Sequence, residues 1–78
     1  MNKLKQCMDH AGMDSFDLAL ELGKQHSIDI MPKTIDIYRQ GKFIAPQQVR
    51  VFAETLGVTP KQLLGEREYK QWFANYHG

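Results

Sequence analysis

The sequence predicts an all-α domain of five or six short helices, and three observations carry that prediction. Apolar residues recur at i, i+3, i+4, i+7 in three separate stretches: Leu4, Cys7, Met8, Ala11; then Val49, Phe52, Ala53, Leu56; then Tyr69, Trp72, Phe73, Tyr76. Single glycines at 12, 23, 41, 57 and 65 follow the apolar stretches where helices are expected to stop. Pro32, Pro46 and Pro60 sit where first helical positions are expected, their fixed φ and missing N–H suiting that place.

Taken in order, the first helix covers residues 2–11, with Asn2 as N-cap and Gly12 as stop. Cys7 lies in the middle of its apolar stripe and reads as a small core residue, since a reactive thiol needs a basic or helix-N-terminal setting. A second helix opens on Asp14, with Asp17 three residues later as the partner of a capping box and Met13 and Leu18 placed for a hydrophobic staple. Leu18, Ala19 and Leu22 give its buried face. It either ends at Gly23 or runs on toward His26; Ile28 and Ile30 then alternate with Ser27 and Asp29, which suits a short extended stretch. Met31 precedes a proline and is pushed out of helical geometry, so a boundary falls there.

The helix Pro32–Gln40 has a thin apolar edge, Ile35 and Tyr38, and otherwise polar faces. After the connector KFIAP, Pro46 opens the helix of Val49, Phe52, Ala53 and Leu56, and Gly57 ends it. Thr59 caps and Pro60 starts a short fifth helix burying Leu63 and Leu64. Glu66–His77 forms the last, with Tyr69, Trp72, Phe73 and Tyr76 on one face; that face either packs back on the chain's own core or forms a dimer interface.

Composition bounds the function. Seventy-eight residues make one small core, near the limit at which a single core suffices. One cysteine excludes an internal disulfide and a cysteine-based zinc site. His10, His26 and His77 are too scattered to pair as metal ligands, and no glycine belongs to a phosphate-cradling loop. No nucleophile, base and oxyanion donor can be assembled, so neither an enzyme, a cofactor, a metal nor a small-molecule ligand is expected. No run approaches roughly eighteen apolar residues and MNKLKQCMDH lacks a signal-peptide core, which makes the cytoplasm, not a membrane, the expected location.

The order of elements carries a resemblance. Gly12, Met13, Asp14, Leu18, Ala19, Leu22 and Gly23 in GMDSFDLALELG, then Thr34, Ile35, Tyr38, Gly41 and Lys42 in TIDIYRQGK, then Pro46, Ala53, Leu56, Gly57, Val58, Leu63 and Leu64 match three successive motifs. Together they resemble the Cro/repressor (XRE-type, lambda-repressor-like) helix-turn-helix family over about residues 2–65. Arg50 stands where the family's apolar residue is usual, about six residues are inserted between Gly23 and Gly41, and Pro32 and Ile37 replace hydrogen-bonding residues of the presenting face.

The resemblance implies a DNA-binding domain over 1–65, with 66–78 as an appended aromatic helix. It implies that helix 32–40 enters the major groove, with base contacts from Lys33, Thr34, Asp36, Ile37 and Arg39. Ser15, Lys42, Gln47 and Arg50 would hold the DNA backbone. The partner is then double-stranded DNA, read by a homodimer whose interface candidates are Tyr69, Trp72, Phe73 and Tyr76. Charge agrees with this: residues 24–50 carry five basic against two acidic side chains, whereas residues 1–23 carry two against four. The other reading is a protein-interaction module or antirepressor on the same scaffold, which the net charge of only +1 and Asp36 on the presenting helix favour.

Overall fold

The computed structural model describes residues 1–76. They form six α-helices: α1 (Leu4–Ala11), α2 (Ser15–His26), α3 (Pro32–Arg39), α4 (Val49–Leu56), α5 (Pro60–Leu64) and α6 (Glu66–Asn75). No strand occurs among the described residues.

Local chemistry sets most of the helix ends. Asp14 and Asp17 form the reciprocal capping box, each carboxylate accepting from the other's backbone N–H at 2.8 and 3.1 Å. Thr59 and Gln62 repeat the device on α5 at 3.1 and 2.9 Å. The sequence predicts Thr59 as the cap; its partner Gln62 emerges from the structure. Asn2 accepts from the Leu4 N–H at 2.9 Å and so serves the start of α1 from one residue outside the cap position. Gly57 ends α4 at φ +73, a conformation that costs other L-residues roughly 1–2 kcal/mol.

Of the two ends open to it, α2 takes the later: it runs to His26, and Ser27 takes the left-handed position at φ +56, with the N–H groups of Ser27 and Ile28 closing on the carbonyls of Gly23 and Leu22. Three expectations need correcting. Pro46 opens one 3₁₀ turn, Pro46–Gln48, and α4 proper begins at Val49. Ala11 is exposed, so the α1 stripe ends at Met8. The expected last helix stops at Asn75, and His77 lies outside the described residues.

One core joins all six helices. Leu4 and Met8 come from α1, Leu18 and Leu22 from α2, Ile35 from α3, Leu63 from α5 and Trp72 from α6. At its centre is α4, which buries Val49, Phe52, Ala53, Thr55 and Leu56 out of eight residues. The Phe52 ring is fully buried and meets the edge of Tyr38 at 5.9 Å between centroids. Thr55 is tolerated in this core because its hydroxyl donates to the Val51 carbonyl at 2.7 Å.

The aromatic helix α6 belongs to the same core. Trp72 is buried, and its indole N–H donates to the Pro46 carbonyl at 3.0 Å. Tyr69 is half-buried against the core and stacks on Phe73 at 5.8 Å, while Phe73 and Tyr76 are exposed. Of the four interface candidates, Trp72 and Tyr69 are thus taken up within the chain.

Replacing Phe52 by Ala removes the side chain that α4 exists to bury. The expected cost is about 3–5 kcal/mol, read as a lower denaturant midpoint at unchanged slope. An unchanged midpoint would show that the core is not centred there.

Candidate functional site

Helix α3 buries a single side chain completely, and its placement is correspondingly specified by polar groups. Only Ile35 is fully buried, with Tyr38 half-buried beside it. The Tyr38 hydroxyl donates to Gln48 Oε1 at 3.0 Å, which ties the helix to the 3₁₀ turn. Upstream, Ile28 and Ile30 pack against the core, so the residues between α2 and α3 form a packed connection. Met31, extended at φ −82 and ψ 146, delivers the chain to Pro32 at the first helical position.

The far end of α3 is tied as well. Asn2 donates through Nδ2 to the carbonyls of Tyr38 at 3.1 Å and Lys42 at 2.8 Å, the Tyr38 carbonyl also accepting from the Gly41 N–H at 3.0 Å. Between them Gly41 turns the chain at φ +106, and a Cβ there would lie 2.8 Å from the Met1 side chain. Residues preceding α1 therefore cover the exit of α3.

A third tie crosses from α2. Ser15 is buried; its hydroxyl donates to Asp36 Oδ1 and accepts from Arg39 Nη1 at 3.2 Å, and the same guanidinium nitrogen lies 3.6 Å from Asp36 Oδ1. This cluster pins the N-terminus of α2 to the second turn of α3. It brings together three of the expected site residues: the Ser15 hydroxyl turns to Asp36 and Arg39, while Asp36 itself stays exposed.

What remains on the open face of α3 is a stripe of Lys33, Ile37 and Gln40 at i, i+4, i+7, all exposed. Thr34 lies half-buried on its flank, and Lys42 and Gln47 are exposed beyond its C-terminus. Gln40 was not among the expected site residues, although the spacing from Lys33 and Ile37 would have found it. Lys5 was also missed: with Asp36, Arg39 and Gln40 it lines an open cleft between α1 and α3. No spacing rule reaches from α1 to α3, so only the packing reveals it.

Arg50 does not join this face. Its guanidinium lies over the Trp72 ring, 5.1 Å from the centroid. It stands two residues before Phe52, whose ring faces α3, and two helical residues differ by about 200° in direction. Arg50 therefore points away from the side of α4 that faces α3.

The other chemistry-bearing side chains are placed as follows. Cys7 is buried on α1, its thiol pushed above the usual cysteine value by burial and its Sγ 3.8 Å from the Gln62 carbonyl. His26 faces inward from the last turn of α2, with Nε2 3.9 Å from Glu54 Oε2 and no hydrogen bond. Among the described residues no three His, Cys, Asp or Glu side chains gather as metal ligands. Nor is any helix of the described residues long and apolar enough to cross a membrane.

The Ser15–Asp36 tie is testable as a unit. Ser15→Ala should destabilise the fold by about 1–3 kcal/mol, and a double-mutant cycle with Asp36→Ala should give a coupling of roughly 0.5–3 kcal/mol. Strict additivity in denaturant melts would dissolve the cluster. In comparisons with protein-family models, curated proteins and solved structures, the chain matches none.

Proposed function

We propose that the chain is a sequence-specific DNA-binding transcriptional regulator of the prokaryotic or phage repressor type, with α3 as the helix that enters the major groove. The observation that carries this reading is the open stripe Lys33, Ile37, Gln40, on a helix fixed at both ends and contributing little to the core. A B-form major groove admits one α-helix and is read by hydrogen bonds and methyl contacts from such a stripe. Lys33, in the first turn, donates to guanine O6 or N7. Ile37 covers a thymine methyl, and Gln40 follows one turn on. Thr34 flanks them.

In this reading Asp36, Arg39 and Ser15 position α3 rather than read bases. Lys42 and Gln47, exposed beyond the helix, hold phosphates, and the basic excess of residues 24–50 supplies the attraction. The motif resemblance over residues 2–65 supports the same conclusion. One such stripe makes few contacts, so two copies on a twofold-symmetric site are expected.

A second reading has its own observation. Phe16 and Leu20, one turn apart on α2, are 75% and 61% exposed. On a helix that lies across a DNA backbone, apolar side chains gain nothing from phosphates. They suit a protein partner, and the alternative is an interaction module or antirepressor.

Selection of bound duplexes from a random pool at two salt concentrations separates the two. A regulator enriches a motif of two half-sites about one helical turn apart, and Lys33→Ala then relaxes one base position by about 1–3 kcal/mol. Absence of enrichment at low salt would overturn the DNA reading and direct attention to Phe16 and Leu20.

A further inference from the structure

Among the described residues, one buried side-chain polar atom lacks a hydrogen bond, Nε2 of His26. The ring sits in the last turn of α2 with 19% of its side chain exposed, and Nε2 meets Glu54 Oε2 of α4 across 3.9 Å. That gap is too long for a hydrogen bond and short enough for an ion pair. A buried nitrogen without a partner costs stability, so the neutral ring is poorly served where it lies. A proton would convert the same contact into an attraction.

We propose that His26 is a proton-operated latch: the imidazolium pairs with Glu54 and fastens the end of α2 to α4, and loss of the proton releases it. Histidine is the side chain whose charge changes between about pH 5 and 8. Burial alone opposes a charge on the ring, but a carboxylate within about 4–6 Å favours it. The unpaired carbonyls at the C-terminus of α2 act in the same direction.

Other charges leave this pair to itself. Helix α2 packs on α3 and α4. On α2, Lys24 lies 3.7 Å from Glu21. On α3, Asp36 and Arg39 gather at Ser15, at the far end of α2, and Lys33 is exposed. On α4, the Arg50 guanidinium lies over Trp72, and in the connection Asp29 is exposed.

The unfolded chain has no carboxylate held at this ring, so the folded chain binds the proton more tightly. The added stability is fully present below the histidine range and is lost as the pH rises through it. Residues 27–31 run from this turn to Pro32, so the latch also fixes where the connection to α3 begins. The inference does not rest on DNA binding, and its test uses none.

Denaturant melts of the full chain at a series of pH values test the latch. From about pH 5.5 to about pH 7.5 the folding equilibrium constant should fall about three- to tenfold, the worth of one ion pair and one helix end. The Glu54 side chain is 67% exposed, so Glu54→Gln folds; it should remove at least half of that fall on a logarithmic scale. His10 is exposed on α1, and His10→Gln should keep the fall. The Met1 amine has the same surroundings in all three chains. A wild-type constant that does not fall overturns the proposal. So does a fall that Glu54→Gln leaves undiminished, or one that His10→Gln removes.

Discussion

The fold depends on burying one aromatic ring, that of Phe52, inside a chain barely large enough to do so. Removing such a side chain from water stabilises a fold by about 1.5–3 kcal/mol. Five of the eight residues of α4 are buried around it, and every other helix contributes at least one fully or nearly buried side chain to the same cluster. Because apolar area is scarce, not every helix receives enough of it to be fixed by packing alone. Helix α3, with Ile35 as its one fully buried residue, receives little of it. Its orientation is set instead by hydrogen bonds: Ser15, Asp36 and Arg39 on one side, Tyr38 and Gln48 on another, Asn2 at its end.

That division of labour explains what could be read from the sequence. Helices held by apolar stripes were legible, since their spacing is local: α1, α4 and α6 each announced themselves by four residues. Helix starts were legible where one side chain closes on its own backbone, as at Asp14 and Thr59. The end of α2 stayed undecided between Gly23 and His26; the helix runs on to His26, and Ile28 and Ile30 beyond it pack against the core.

The helix of the candidate site was legible in the sequence; the contacts among its side chains were not. Helix 32–40 and its exposed Lys33 and Ile37 follow from periodicity. Which polar residues face inward does not, because Ser15 and Asp36 are 21 positions apart and nothing local pairs them. Arg50 was expected at the DNA backbone from the family resemblance. Its position over Trp72 depends on α6 folding back across α4, a long-range fact. Lys5 was missed for the same reason.

The separation between the ties of α3 and its open stripe has an evolutionary consequence. Lys33, Ile37 and Gln40 take no part in the buried cluster, and the residues that hold the helix take no part in the stripe. Substitutions in one set leave the other nearly untouched, because surface changes away from caps and packed groups alter stability by only about 0.5 kcal/mol. A lineage can therefore exchange all three stripe residues, and with them whatever surface the helix meets, without ever passing through an unfolded intermediate.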